Sequence, residues 1–130
     1  MLEKAHLRVA RASNDLAEII KFYRDGLGFE IINSFADHQG FDGVMLGHKD
    51  LAYHLEFTSQ RGHRAAAPPN KESLLVFYLP DRDEWQGAVR RMLAGGYEPV
   101  ESYKPYWDVN GKTFEDADGY RAVLQNAGWP

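Results

Sequence analysis

The stretch DLAYHLEF (residues 50–57) decides the fold, because a second stretch, DGYRAVLQ (118–125), matches it at an offset of 68 residues. Another pair, GLGFE (26–30) and GGYEP (95–99), matches at nearly the same offset. A period of this length in a chain of 130 residues indicates two copies of one structural unit. Since neither copy can cover its own sheet, the two are expected to pack together.

Each copy is predicted to follow the order βαβββ. Strand-like runs occur at residues 5–11, 29–35, 41–47, 51–58, 73–79, 97–101, 112–117 and 120–126. A helix is predicted after the first strand of each copy, where Asp15 and Asp81 are each followed by a glutamate three residues later, as in a capping box. Gly26 is expected to end the first helix, and Leu16, Ile19, Ile20 and Tyr23 are expected to share its buried face.

The predicted fold is therefore of the α+β class, with tandem βαβββ modules that form a curved mixed-sheet cleft. The first half covers residues 1–58 and the second half residues 73–130. Residues 59–72 are rich in proline, alanine and charge and have no period, so they are predicted to form a linker.

Composition excludes several classes of protein. The chain has no cysteine, which rules out disulfides, zinc fingers and thiol nucleophiles. The formal net charge of −4 provides no basic stripe for nucleic acid. No apolar run approaches the ~18 residues of a membrane span, and the N-terminus lacks the apolar core of a signal peptide. A cytoplasmic protein without nucleic-acid or membrane partners is expected.

His54 and Glu56 lie two residues apart in a predicted strand, so an imidazole and a carboxylate share one face of the sheet. The simplest interpretation is a polar pair on a wet sheet surface. The alternative is that this face lines a pocket. His6 and Arg8 alternate in the same way on the first predicted strand.

The chain resembles the vicinal oxygen chelate superfamily, which includes glyoxalase I, extradiol dioxygenases and bleomycin-resistance proteins. The resemblance rests on the stretches HLRV (6–9), IKFYRDGLGFEII (20–32), HLEFT (54–58) and KTFEDADGYRAVL (112–124). It implies a single glyoxalase-like domain over residues 1–130. It also implies that the face with His54 and Glu56 turns into the cleft, and that Glu56 is ionised and held by Arg8, Arg121 or a histidine.

Members of this superfamily that bind a metal place four ligands on the cleft strands. By resemblance these positions fall on Lys4, Glu56, Ser73 and Val123. Only Glu56 is an ordinary ligand for a divalent cation. No metal and no other cofactor is therefore expected. A rearranged metal site built from His6, His54 and Glu56 remains an alternative.

The resemblance further implies a set of residues that contact a ligand. Arg8 resembles the first-strand arginine that holds an anionic group in metal-free members, and Phe77 and Arg121 would face the same cleft. The competing interpretation is that Arg8 and Arg121 are ion-pair partners of Glu56. Tyr103 and Trp107 lie in the long connection before the last hairpin, where they would form a lid, an apolar cluster under the loop or a dimer contact.

Three functions remain open at this point. The first is a glyoxalase-like lyase or isomerase in which Glu56 is the general base and His6 or His54 the acid. The second is a binding protein that sequesters a drug-like molecule without turnover. The third is a metal-dependent glyoxalase or dioxygenase with the rearranged site. In each case the partner is a small polar or anionic molecule, and a homodimer is expected.

Overall fold

The computed structural model describes residues 1–129, which divide into two compact units with the boundary between Ala66 and Ala67. Each unit contains one mixed sheet and the helices that pack on it. This confirms the predicted α+β class. The strand before the predicted linker (59–72) continues to Gln60. Residues 61–73 contain no helix or strand.

The N-terminal unit follows the predicted order of one strand, a helix and three further strands. Its elements are β1 (Leu7–Ala12), α1 (Leu16–Ile20), a π-helical segment (Lys21–Gly26), β2 (Glu30–His38), β3 (Phe41–Gly47) and β4 (Tyr53–Gln60). The strand order is β1-β4-β3-β2, with β1 parallel to β4 and the other pairs antiparallel. Strand β4 therefore lies between two neighbours.

The core of the N-terminal unit lies between this sheet and the helical segment. Phe57 is 2% exposed, and its ring centroid lies 4.8 Å from that of Tyr23. Phe22 and Tyr23 are consecutive and both fully buried. The predicted buried face is confirmed, because Ile19 and Tyr23 are fully buried and Leu16 and Ile20 are half-buried. The helix widens to the π form at Lys21, and Phe22 is buried beside Tyr23 on the same side of the segment.

The ends of the first helix show one confirmed prediction and one correction. The Asp15 carboxylate accepts a hydrogen bond from the Glu18 backbone N–H at 3.1 Å, as expected for an N-terminal cap. Gly26 does not take the left-handed conformation typical of a terminating glycine. That conformation occurs at Gly28, with φ of +83°, because the π-helical segment extends through Gly26.

Strand β2 forms the edge of the N-terminal sheet and is irregular. Its pairing with β3 shifts register between Ile31 and Asn33 and again between Phe35 and His38. Most of its residues are exposed. The ring of Phe35 lies where a side chain at Gly43 would project, so the glycine of β3 allows this aromatic ring to cover the strand.

The C-terminal unit contains β5 (Leu74–Tyr78), α2 (Arg82–Ala94), α3 (Tyr106–Val109), β6 (Gly111–Glu115) and β7 (Arg121–Gln125). The sheet order is β5-β7-β6, with β5 parallel to β7. The strand predicted at 97–101 is reduced to a single bridge between Val100 and Thr113. Pro99 lacks a backbone N–H, which limits pairing at this point.

Local signals in the second half behave as the sequence predicts. Asp81 caps α2 by accepting from the Glu84 N–H at 2.9 Å. Asp116 accepts from the backbone N–H groups of Asp118 and Tyr120 at 2.9 and 3.0 Å, which closes the last hairpin. The Trp85 indole donates to the Leu124 carbonyl at 2.8 Å and ties α2 to β7. Among residues 1–129, no helix has the length and apolar character needed to cross a membrane.

Candidate functional site

His54 and Glu56 lie on the face of the N-terminal sheet that is opposite to the helix. Leu55 and Phe57 point to the core and are each 2% exposed, so the alternation places the two polar side chains on the other side. His54 is 8% exposed, and the Glu56 side chain is 14% exposed. Neither side chain lies in bulk solvent.

The parallel pairing of β1 with β4 brings more polar groups to this face. Arg8 is the register partner of His54. Its Nε donates a hydrogen bond to His54 Nε2 at 2.9 Å, and its Nη1 lies 3.4 Å from the Glu56 carboxylate. His6 Nε2 lies 2.6 Å from His54 Nδ1. We call these four residues, His6, Arg8, His54 and Glu56, the polar cluster.

The electrostatics of the polar cluster favour a neutral His54. Burial is the main cause that lowers the pKa of His54, and the Arg8 charge and the neighbouring His6 lower it further. Glu56 opposes this effect by raising the same pKa. Gly47 is the register partner of His54 on β3 and adds no side chain to this site. His54 is therefore expected to stay uncharged below the pH at which an ordinary histidine takes up a proton.

Lowering the pH from about 7.5 to about 5 is expected to destabilise the fold through His54. The unfolded chain binds a proton on this residue near pH 6.5, whereas the folded chain binds it only at lower pH. The unfolded state thus holds more protons in this window, so the free energy of unfolding falls as the pH falls, and the effect levels off below the folded pKa. Urea denaturation across the pH series measures this slope.

Two variants separate His54 from the other titrating groups. His54→Gln is expected to flatten the slope, because the titrating imidazole is gone. His38→Gln removes a histidine that is exposed at the end of β2, and it is expected to leave the slope unchanged. A slope in His54→Gln equal to that of the wild type would contradict the assignment.

The remaining residues with a predicted ligand-binding role lie in the C-terminal unit. Arg121 is buried, and its Nε donates to the Glu115 carboxylate at 2.9 Å. Arg121 thus forms an ion pair within its own unit, with a carboxylate that the sequence did not suggest as its partner. Arg121 pairs with Glu115 because the two residues lie directly opposite each other in the β6–β7 hairpin. Phe77 is half-buried on β5.

The long connection in the C-terminal unit carries exposed aromatic side chains. Tyr103 and Tyr106 are exposed, while Trp107 is partly buried. The rings of Tyr106 and Trp107 meet edge to face at 4.9 Å, and the Lys104 ammonium lies 5.2 Å from the Tyr106 ring centroid. The loop is thus a small aromatic cluster with a wet outer surface, a feature that suits contact with a ligand.

The N-terminal unit also has a small open pocket with a volume of about 140 Å³. It is lined by Ala12, Ser13, Phe41, Thr58, Gln60, His63 and Ala65. Thr58 lies on the same face of β4 as Glu56, so the pocket continues the polar face toward the end of the strand. Sequence reasoning missed it, because its walls come from β1, β3, β4 and the following turn.

The residues present do not fit the four-ligand metal site of the superfamily. Lys4 is exposed and Val123 is fully buried, and neither is an ordinary ligand for a divalent cation. The alternative site is not assembled either. Within the described part of the chain, no group of three or more His, Asp or Glu side chains is placed to hold an ion. His6 and His54 contact each other, whereas Glu56 faces Arg8.

Comparison with known proteins shows which family the chain belongs to. Residues 7–58 match the YycE-like N-terminal domain, and residues 72–126 match the YycE-like C-terminal domain. The protein YycE of Bacillus subtilis is 44% identical over 125 residues, which cover 96% of this chain and 90% of the relative. The crystal structure of that protein, whose function is unknown, has a TM-score of 0.90 and covers 97% of this chain and 92% of its own.

More distant solved structures share the fold. The trypanothione-dependent glyoxalase I of Leishmania major is 20% identical, with a TM-score of 0.73 over 96% of this chain and 88% of its own. A FosX variant from Listeria monocytogenes, a fosfomycin resistance protein in complex with Mn(II) and 1S,2S-dihydroxypropylphosphonic acid, is 16% identical, with a TM-score of 0.74 over 99% of this chain and 95% of its own.

These findings identify the fold as that of the vicinal oxygen chelate superfamily, as the resemblance of the sequence implied. Glyoxalase I and the fosfomycin resistance proteins share it. This chain belongs to the YycE-like family.

Proposed function

We propose that this protein binds a small oxygenated anion at the polar cluster and acts on it as a glyoxalase-like lyase or isomerase. The observation that carries the proposal is the state of Arg8. Its side chain is 48% exposed, yet its inner edge is fixed by His54 and Glu56. The guanidinium is therefore oriented by the protein while part of its surface remains available to a ligand.

The geometry of Arg8 suits an anion for two reasons. A guanidinium presents five N–H donors in a planar fork that matches carboxylate or phosphonate oxygens. Glu56 lies 3.4 Å from Nη1, which is longer than a charge-assisted hydrogen bond of about 2.7–2.9 Å. This ion pair neutralises only part of the positive charge of Arg8. A second anion with better geometry can therefore still bind to Arg8 with a favourable free energy.

The histidines of the polar cluster support proton transfer as well as binding. His54 is buried and is held neutral near neutral pH, and His6 is exposed beside it. An imidazole at the edge of such a site can act as the acid and donate a proton to an oxygen or carbon of the bound molecule. Glu56, the base proposed from the sequence, is within the same cluster and contacts Arg8.

The structural neighbours help to choose probes, although their identity to this chain is too low to transfer a function. The FosX complex contains a phosphonic acid with two adjacent hydroxyl groups, which is a small oxygenated anion. We therefore use phosphonates as the first probes. The exposed Tyr103 and Tyr106 favour the second candidate function, a drug-sequestering protein that binds without turnover, because aromatic surfaces bind drug-like molecules.

Arg8→Met is expected to weaken binding of 1S,2S-dihydroxypropylphosphonic acid by about 10- to 100-fold. Loss of a charge-assisted contact corresponds to about 1.5–3 kcal/mol, and each 1.4 kcal/mol is about tenfold in affinity. Isothermal titration calorimetry at low ionic strength measures the affinities. Arg64→Met removes an equal charge from the exposed segment that follows β4 in the chain, and it serves as the control.

The outcomes of this experiment have definite meanings. Equal affinity in Arg8→Met and wild type would exclude Arg8 as the anion site. Absence of binding by a panel of phosphonates, phosphates and 2-hydroxy acids would reject the proposed ligand class. If compounds of the panel bind but NMR shows that none of them is converted, the result would favour the sequestering function. Turnover that is lost in His6→Gln, with binding kept, would establish the acid–base role.

A further inference from the structure

We propose that Arg8 fixes the tautomer of His54, that His54 in turn fixes the tautomer of His6, and that His6 and Arg8 therefore present only N–H donors to the ligand. The site would then select a fully ionised oxyanion and discriminate against its protonated or esterified forms. This inference rests on the proposed function, because it names the charge state of the ligand that the same site accepts.

The first step concerns His54 Nε2. Arginine has only hydrogen-bond donors and keeps its proton at any ordinary pH. Its Nε lies 2.9 Å from His54 Nε2, so this nitrogen must offer a lone pair. A histidine with a lone pair on Nε2 is neutral and carries its single proton on Nδ1. Arg8 thus selects the Nδ1–H tautomer of His54.

The second step transfers this selection to His6. His54 Nδ1 lies 2.6 Å from His6 Nε2, so one of the two nitrogens must donate. Donation by His6 would require a lone pair on both nitrogens of His54, which describes an imidazolate anion and is not accessible near neutral pH. His54 Nδ1–H therefore donates to His6 Nε2. The proton of neutral His6 must then lie on Nδ1.

The third step concerns what remains open to a ligand. Within the described residues 1–129, His6 Nδ1 makes no hydrogen bond, and His6 is exposed. Arg8 has only its Nε hydrogen bond and the long ion pair with Glu56. The groups around His54 on this face are His6 and Arg8 from the β1 side, Glu56 on β4, and Gly47, which adds no side chain from β3.

The roles within the cluster follow from these three steps. His6 and Arg8 would contact the ligand, and each presents N–H groups. Glu56 is turned toward Arg8 and balances part of its charge. His54 acts through its two neighbours and is a positioning residue. In a protonated ligand, the acidic O–H group would meet the N–H groups of His6 and Arg8, so two donors would face each other. In an ester, the alkyl group would block an acceptor oxygen. Both ligands would bind less well than the ionised form.

The tautomers can be measured in the free protein. In a long-range ¹H–¹⁵N spectrum of ¹⁵N-histidine-labelled protein near neutral pH, both His6 and His54 are expected to carry the proton on Nδ1. Arg8→Met is expected to shift His54 toward the Nε2–H form, whereas Arg64→Met is expected to leave it unchanged. An Nε2 proton on wild-type His54, or an unchanged tautomer in Arg8→Met, would overturn the inference.

A second measurement tests the selectivity with matched variants. Methylphosphonate dianion is expected to bind wild type at least about tenfold more tightly than its monomethyl ester. His54→Gln can still accept from Arg8 and donate to His6 through its amide, so it is expected to keep this preference. His54→Leu can do neither and is expected to lose it. Equal preference in both variants would overturn the positioning role.

The two measurements also separate this inference from the proposed function. The spectrum requires no ligand, so the tautomers can be wrong even if the anion binds. Conversely, the tautomers can be correct while no phosphonate binds, which would reject the proposed function and the selectivity but leave the tautomer assignment in place.

Discussion

Phe57→Ala is expected to lower the free energy of unfolding by about 3–5 kcal/mol, the range typical of a large aromatic side chain removed from a core. Phe57 is 2% exposed and packs against the ring of Tyr23 at 4.8 Å. It lies on β4, which is hydrogen-bonded to both β1 and β3. The cavity would therefore form at the centre of the N-terminal sheet, where neighbouring strands restrict its collapse. Chemical denaturation measures the loss.

A second phenylalanine of the same sheet provides the control for this prediction. Phe41 lies on β3 and is 37% exposed, so Phe41→Ala should remove far less buried surface and cost less than about 1.5 kcal/mol. Similar losses for both variants would show that the core does not lie between β4 and the helical segment. Because Phe57 faces away from Glu56, changes at the polar cluster should follow only from the general loss of stability.

Gly111→Ala is expected to lower the free energy of unfolding of the C-terminal unit by about 1–3 kcal/mol, the range typical of an overpacked position. An added Cβ would lie 2.4 Å from the side-chain oxygen of Gln125 and 2.6 Å from the carbonyl oxygen of Trp107. Gln125 is 2% exposed, and the Trp107 atom belongs to the backbone. The buried Gln125 side chain has little room to turn away, and the Trp107 carbonyl can move only together with the connection before β6.

The consequence of this clash can be observed in two ways. Thermal or chemical denaturation gives the loss of stability, and tryptophan fluorescence should change because Trp107 must shift. Gly87→Ala is the control, since its Cβ would meet only the far end of Arg90 at 4.0 Å within α2. That variant is expected to be neutral or slightly stabilising, because alanine favours a helix over glycine. A stable Gly111→Ala protein with unchanged fluorescence would contradict the prediction.

Much of the fold could be predicted because local sequence signals agree with the final structure. The alternation around His54 and Phe57 assigns both faces of β4. Asp15 and Asp81 mark the starts of two helices, and both caps are present. The π-helical segment at Lys21–Gly26 was not predicted, because its apolar residues also fit an ordinary α-helix until the packing of Phe22 and Tyr23 is known.

The site was harder to predict than the fold. The alternation of side chains along a strand places His6 and Arg8 on the same side of the first strand. It does not indicate which strand lies beside β1. The contacts with His54 depend on the parallel pairing of β1 and β4, which joins residues nearly fifty positions apart. The partner of Arg121 depends in the same way on the register of the last hairpin, where Glu115 lies opposite. Such pairings arise from the tertiary structure.

The irregular edge strand β2 has a consequence for how copies of this protein meet in solution. A long, flat edge strand exposes a row of backbone donors and acceptors, and another chain can add to it as a further strand. The register shifts at Ile31–Asn33 and Phe35–His38 break that row into short pieces. An incoming strand could form only a few consecutive hydrogen bonds before it lost its alignment. This edge is thereby protected from edge-to-edge pairing with another sheet, even though Ile31 and Ile32 are exposed on it.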